Sequence, residues 1–385
     1  MSALPRRIAD WNTGLVGGAG SRCRLETPAA VLDLDLFEAN LARLHARCRD
    51  AGLAVRPHAK SHKCAEIGRR QMHAGAVGLC CAKPGELLAL WQAGIPDLML
   101  TAPVASARKI DALAATAAAG ARLRVVADRP DLVEAYGAAA RRHGTTIGML
   151  VDLDVGLLRS GVNLPGDAVA LAGLIAKTPG LEYCGVQAYQ GRVQHIEGYA
   201  ARAAATQGLN ETLLTFLDAL AAAGLPARTI SGGGTGSHAL DAEAGLFNEL
   251  QPGSYVFMDE GYAGVDLDGS GAGAFGPALR VAVTVVGHSS AGFAITDAGS
   301  KSIAVDGPPP RVFWGSRRVG RIECCGDEFG RVLPEPGAET LPIGSVVECT
   351  APHCDPTINL HDTLHAVRGD ALVALWLVEA RGRAD

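Results

Sequence analysis

The residues best suited to chemistry lie in one short stretch, V-R-P-H-A-K-S-H-K-C over Val55–Cys64. Side chains of a strand alternate between faces, so a strand here would set Arg56, His58, Lys60 and His62 on one side. Lys and Arg are rarely buried without partners, and an isolated buried charge is costly. That face is therefore either a solvated edge or the floor of a polar pocket. In a pocket Lys60 stands out, because an amine beside other cations and partly out of water has a lowered pKa and forms Schiff bases.

Two more stretches could bind. S-G-G-G-T-G-S (231–237) offers backbone N–H groups and the Thr235 and Ser237 hydroxyls to an anion. No Lys follows it, and it does not match the dinucleotide-binding glycine pattern. In A-P-H-C-D-P-T-I-N-L-H-D (351–362), His353 and Asp355 would share one face of a strand while Cys354 pointed away. Imidazole plus carboxylate suits Mn2+, Mg2+ or Zn2+, with water or substrate completing the shell. His361 and Asp362 would support that pair or form a turn.

The elements that must position these residues follow a regular pattern. Apolar strand candidates fall near 53–59, 77–81, 97–102, 123–128, 147–154, 182–189, 229–234 and 251–258. Helical segments alternate with them, among them 84–93, 107–119, 131–143, 167–177, 199–223 and 240–246. Such alternation implies parallel strands, and eight of them in this length fit a (β/α)8 barrel better than an open sheet. A doubly wound sheet is the alternative. Beyond residue 265 the texture becomes β-rich, with strand candidates at 278–287, 293–298, 301–305, 319–324, 345–350 and 371–378. The expected organisation is an N-terminal arm (1–26), a strand joining the β domain (27–36), a barrel (37–264) and a β domain (265–385).

Barrel enzymes carry reactive groups at the C-terminal ends of strands, with phosphate often bound after strands seven and eight. Lys60 follows the first candidate strand, Arg159 the fifth, and Gln187 and Tyr189 end the sixth, with Gln194 and His195 shortly after. The glycine loop follows the seventh strand, and Q-P-G-S-Y (251–255) opens the eighth. A lysine at a strand end facing a phosphate loop points to pyridoxal 5'-phosphate.

Composition narrows the class. The 385 residues are 48% hydrophobic and 19% charged with net charge −5, a globular balance with no basic block for nucleic acid or anionic membrane. No apolar run reaches the ~18 residues of a membrane span, and the N-terminus shows no signal-peptide core. The ten Cys include two adjacent pairs and no C-x-x-C, which reads as reduced thiols of a cytoplasmic protein.

Taken together, R-P-H-A-K-S-H-K, G-L-C-C-A-K, V-D-L-D-V-G-L-L-R-S-G-V, Q-A-Y-Q-G-R-V-Q-H, S-G-G-G-T-G-S, N-E-L-Q-P-G-S-Y-V-F-M-D, D-A-G-S-K and P-H-C-D-P-T-I-N-L-H-D resemble the D-threonine aldolase / D-3-hydroxyaspartate aldolase family. These are fold-type III pyridoxal-phosphate enzymes, built like alanine racemase and related to D-serine dehydratase. The resemblance runs from about residue 27 to residue 382. It implies Lys60 as the Schiff-base lysine and His58 beside it. It implies Gly234, Thr235, Gly236, Ser254 and Tyr255 around the phosphate, and Arg159, Gln187 and Tyr189 against the cofactor ring. His353 and Asp355 would hold the divalent cation, with Mn2+ or Mg2+ favoured over Zn2+, and a homodimer is usual. Two departures bear on the substrate pocket: Ala82 stands where relatives often have Gln, and Phe329 where they often have His.

The implied reaction is retro-aldol cleavage of a D-3-hydroxyamino acid to glycine and an aldehyde, with His62 and His195 as candidates for proton transfer. The rival is β-elimination by a dehydratase on the same scaffold. Eukaryotic D-serine dehydratases carry Cys at the position of Asp355, so Asp355 leans toward the aldolase and a harder cation. A non-catalytic pyridoxal-phosphate carrier would resemble the barrel alone.

Overall fold

In the computed structural model, which describes residues 8–271 and 273–385, two sheets share the chain. The start of the expected arm, residues 1–7, lies outside the described residues. The first strand, β1 (Ala29–Asp33), does not belong to the barrel. The barrel strands are β2 (Ala54–Val55), β3 (Leu79–Cys81), β4 (Asp97–Leu100), β5 (Arg122–Ala127), β6 (Ile147–Asp152), β7 (Leu181–Ala188), β8 (Thr229–Gly232) and β9 (Glu249–Leu250). They pair in parallel in the order β2-β9-β8-β7-β6-β5-β4-β3. The ring closes where His58 bridges Cys80 and where the Val77 and Cys80 amides donate to the Val55 and Pro57 carbonyls. The sheet is thus a barrel and not the open alternative.

Helices cover its outside. They are α1 (Leu34–Asp50), α2 (Ala65–His73), α3 (Pro84–Gln92), α4 (Ala107–Ala118), α5 (Pro130–Arg142), α6 (Pro165–Lys177), α7 (Tyr199–Ala222) and α8 (His238–Ala244). Three begin with Pro in the first turn, where its missing N–H costs nothing. The expected strand 27–36 stops at Asp33, because the Asp33 carboxylate accepts the Leu36 N–H and caps α1.

The second sheet contains β10 (Leu279–His288), β11 (Ala294–Thr296), β12 (Arg311–Trp314), β13 (Arg317–Cys324), β14 (Gly330–Pro334), β15 (Val346–Thr350), β16 (Thr363–Arg368) and β17 (Ala371–Leu377). Its order is β11-β14-β13-β12-β15-β10-β1-β16-β17, and β11 also pairs with β10. Six strands therefore close on themselves, and β1, β16 and β17 extend the sheet. β1 pairs antiparallel with β10 and parallel with β16, which ties the chain's beginning to its end. The expected strand at 301–305 is a turn in the structure. Between β15 and β16 lies one short helix, α9 (Cys354–Ile358).

The opening stretch corrects the strand reading. β2 ends at Val55, and Ala59–Ser61 turns as a 3-10 helix, so Arg56, His58, Lys60 and His62 do not share a face. Arg56 is only 1% exposed and bonds the Asp97 carboxylate at 2.5 Å and the Glu249 carboxylate at 2.9 Å. Asp97 and Glu249 open β4 and β9, so this one cation joins strand starts on both sides of β2. Arg122 and Arg124 bond the same carboxylates from β5, and Ser231 donates to Glu249. Above the network, Cys80, Met99, Val126, Leu150 and Cys184 form a separate apolar cluster from β3–β7.

Removing one partner of a buried ion network strands the others. Arg56→Met should lower the free energy of unfolding by about 3–5 kcal/mol, read as a fall in the urea midpoint. An unchanged midpoint would contradict the structural role assigned to Arg56.

Candidate active site

Lys60 leaves the strand path because the 3-10 turn lifts it toward the second domain. Its Nζ meets Asp355 Oδ1 at 2.5 Å, across 295 positions of sequence. The short helix α9, which carries Asp355, packs on the same turn. Burial alone would lower the pKa of the Lys60 ammonium, but the charge and hydrogen bond of Asp355 more than offset that and hold it above the ordinary lysine range. The expectation of a lowered pKa therefore fails in this state. Arg56 is neutralised by its own carboxylates, His58 and His62 are uncharged, and a carboxylate touches the amine.

His58 closes the first barrel strand. Burial, then the nearby Lys60 charge, pushes it down to about 3, so it is neutral. Its Nδ1 accepts the Lys60 amide at 3.4 Å, and its Nε2 bonds Thr101 Oγ1 at 3.1 Å. Thr101 in turn donates to the Cys81 carbonyl. This chain of bonds sets the tautomer, with the proton on Nε2.

One cavity of about 290 Å3 gathers most of the named residues. His58, Lys60, Arg159, Gln187, Tyr189, Gly234, Thr235 and Ser254 line it. Gln187 is held by Thr101 and by Asp152, to which its amide donates at 2.8 Å. The Arg159 guanidinium lies 5.7 Å from the centre of the Tyr189 ring, a cation–π distance. Ala82 also lines the cavity, whereas Phe329 is exposed on the second domain and does not.

The glycine loop is clamped by a residue whose role its sequence position does not announce. Gln194 Oε1 accepts the amides of Gly236 (2.8 Å) and Ser237 (3.2 Å), while its Nε2 donates to Ser237 Oγ. A Cβ added at Gly234 would overlap the Gln194 side chain, and one at Gly236 would overlap its backbone carbonyl. The amides of buried Thr235 and Ser254 find no acceptor among the described residues. Two free donors beside a glycine cradle, with a lysine across the cavity, fit a phosphate and an aldehyde carried by one group.

Some expected residues sit elsewhere. Strand β9 ends at Leu250, so 251–255 follows the last barrel strand instead of opening it. Tyr255 is fully buried, and its hydroxyl meets Gln71 and His45 away from the cavity. Only its backbone reaches the loop, donating to Thr235 Oγ1 at 3.2 Å. Gly236 shapes the loop, but its amide is taken by Gln194. His62 is fully buried and does not line the cavity; its Nδ1 accepts the Cys64 amide. Burial pushes it down to about 4, so it is neutral, and the structure does not place it at the cavity wall. His195 is exposed beside Tyr262, with ring centres 4.3 Å apart, and Tyr262 is a wall of the cavity.

The H-C-D triplet is not a strand. His353 is the N-cap of α9 and Asp355 stands in its first turn. His353 Nε2 lies 3.8 Å from Asp355 Oδ2. Two ligands each about 2.0–2.1 Å from one ion can span such a gap. His353 Nδ1 is bonded to Asp306 Oδ2 at 2.7 Å, which leaves the Nε2 lone pair facing Asp355. Asp306 carries no sequence signal, since it ends an unremarkable S-I-A-V-D run. No group of three or more potential metal-ligating side chains occurs among the described residues, so a cation held here would need its other ligands from water or substrate.

Comparison with known proteins fits this geometry. Residues 32–261 match the alanine racemase N-terminal domain, and residues 278–367 a putative serine dehydratase domain. The chain is 38% identical over 359 residues to a D-threonine aldolase of Arthrobacter, covering 93% of each. It is 36% identical over 363 residues to a 3-hydroxy-D-aspartate aldolase of Paracoccus denitrificans, again covering 93% of each. This chain belongs to the D-threonine aldolase / D-3-hydroxyaspartate aldolase family. The crystal structure of D-threonine aldolase from Filomicrobium marinum superposes with a TM-score of 0.89 at 37% identity, covering 94% of this chain and 97% of that one. The fold is alanine racemase-like, and the protein is a lyase of the pyridoxal-phosphate-dependent class.

Gly236→Ala tests the cradle. The added methyl must displace the Gln194 backbone, so affinity for pyridoxal phosphate should fall on the order of tenfold or more, about 1.4 kcal/mol per decade. Binding of unphosphorylated pyridoxal should change little. Equal losses for both would assign the loop a general structural role instead.

Proposed function

We propose that the protein cleaves a D-3-hydroxyamino acid, of the D-threonine or D-3-hydroxyaspartate type, to glycine and an aldehyde. The observation that carries this reading is the contact of Asp355, from the second domain, with Lys60, which lines the cavity. It brings the amine suited to the cofactor aldehyde next to the side chains suited to a divalent cation. Pyridoxal phosphate, when bound, supplies the sink for the electron pair left on Cα as Cα–Cβ breaks.

The chain's own residues would divide the remaining work. Thr235 and Ser254 amides would hold the phosphate, while Gln187 and Tyr189, which line the same cavity, would border the ring. His353 and Asp355 would hold the cation, whose charge lowers the pKa of a β-hydroxyl placed against it. That hydroxyl loses its proton, Cα–Cβ breaks, the aldehyde leaves, and Cα gains a proton. Lys60 Nζ, at the cavity wall, would be the group positioned to give Cα that proton. His195, packed against the cavity-wall residue Tyr262, is the candidate acceptor of the hydroxyl proton.

A carboxylate at 355 supports Mn2+ or Mg2+ over Zn2+ by ligand hardness. The second domain, which supplies the ligand pair, speaks against a carrier built from the barrel alone. The family resemblance supports a homodimer. The cysteines, all unpaired, support a reducing, cytoplasmic setting. Among the described residues no helix is long and apolar enough to cross a membrane. A dehydratase is the second reading, because the chain is 30% identical over 312 residues to a D-threo-3-hydroxyaspartate dehydratase of Delftia.

Product analysis separates the two. With pyridoxal phosphate and Mn2+ added, D-threonine or D-3-hydroxyaspartate should give glycine and an aldehyde, with loss of activity on chelation. Ammonia and a keto acid without glycine would establish the dehydratase. Replacing Asp306 by Asn should weaken Mn2+ binding about 10–100-fold by calorimetry, as loss of a ligand's orienting partner does. Unaltered affinity would remove Asp306 from the metal site.

A further inference from the structure

We infer that Lys83 binds the α-carboxylate of the amino-acid substrate. The inference rests on the reading of the cavity as an amino-acid-handling pyridoxal-phosphate site, though not on which substrate bond breaks.

Lys60, Lys83 and Arg159 are the cavity's lining cations, and no Asp or Glu lines it. Lys60 is matched by Asp355. Arg159 lies over the Tyr189 ring. Lys83 lines the cavity, yet its ammonium makes no ion pair or hydrogen bond with any described residue. The phosphate cradle is assembled from neutral backbone donors and does not call on Lys83. A concave wall with an unmatched ammonium and no carboxylate of its own is complementary to an incoming anion.

The backbone beneath Lys83 is fixed. Lys83 follows β3, at the barrel end where functional groups gather, and is the extended N-cap residue of α3. The preceding Ala82 amide donates to Glu86 Oε2 at 2.6 Å. Glu86 is 1% exposed and is itself paired with Lys63 at 3.4 Å. This buried pair holds the Ala82–Lys83 corner, so the ammonium stands on a rigid stem base. Ala82, being small, leaves the wall open beside it.

Angular order around the barrel gives Lys83 its role. The glycine loop follows β8 and Ser254 follows β9; Lys60 follows β2 and Lys83 follows β3. β9, β2 and β3 are successive around the ring, closing through the His58–Cys80 bridge. Lys60 therefore has phosphate donors on one side and Lys83 on the other. An amino acid whose nitrogen takes the place of Lys60 Nζ meets on its free side an ammonium suited to its carboxylate.

The test uses ligands that cannot be cleaved. Wild-type, Lys83→Met and Lys83→Arg holoenzymes are titrated with D-alanine, D-alaninamide and D-aspartate, reading dissociation constants from the cofactor absorption. Loss of a charge-assisted bond should weaken D-alanine about 10–100-fold in Lys83→Met. D-alaninamide, which lacks the carboxylate, should change less than about twofold by the same account. Lys83→Arg should recover most of the D-alanine affinity. Unchanged D-alanine binding, equal weakening of acid and amide, or weakening confined to D-aspartate would each overturn the assignment, as would a wild-type spectrum that D-alanine leaves unaltered. D-alanine has no β-hydroxyl, so failure of the retro-aldol reading would appear only in product analysis and not here.

Discussion

The contact between Lys60 and Asp355 is the constraint on which the site depends. One partner stands at the end of the first barrel strand and the other on a short helix of the second domain. Neither domain alone could bring the Lys60 amine and the glycine loop of the barrel together with the His353–Asp355 pair of the second domain. The pair also answers an electrostatic need. An ammonium facing a half-closed pocket, with two cations elsewhere on its wall, is stabilised by one buried carboxylate. Asp355 is held below the usual carboxylate range: burial would raise it, and the Lys60 charge more than reverses that.

Around this pair the protein keeps other charges quiet. His58 and His62 are neutral through burial, and each spends Nδ1 on a nearby backbone amide. Arg56 is locked into the barrel's own ion network. The five basic side chains of this stretch thus take distinct parts: a structural cation in Arg56, two neutral ring acceptors in His58 and His62, a lysine paired with Glu86 in Lys63, and the cavity amine of Lys60. Behind the glycine loop, Ser237 donates to Asp241 at 2.6 Å, and burial raises that carboxyl to about 7. The cradle is braced from behind by Gln194 and Asp241 and stays open toward the cavity.

Much of this was legible in the sequence, and the misses have physical causes. The barrel strands stood out as short apolar runs at regular spacing, because parallel strands covered on both faces need continuous Val, Ile and Leu. In the second domain β12, β14 and β16 carry no clear strand pattern in the sequence. R-V-F-W is short, G-R-V-L-P is framed by Gly and Pro, and T-L-H-A-V-R carries His365, buried in the structure. Alternation over Arg56–His62 pointed to a strand, yet Pro57 cannot donate to a ladder and the chain turns after His58. Lys60, Thr235 and His353 could be singled out by residue type and position. Partners brought in by tertiary folding could not: Asp355 against Lys60, Gln194 against the loop, and Asp306 against His353.

The central claim is that Lys60 alone carries the cofactor, opposite a carboxylate from the other domain. The direct measurement is borohydride reduction of the holoenzyme, followed by proteolysis and mass spectrometry of the modified peptide. The account predicts the pyridoxyl adduct on Lys60 and on neither Lys63 nor Lys83, although all three lie within a short reach of the same strand ends. An adduct on another lysine, or none, would contradict it.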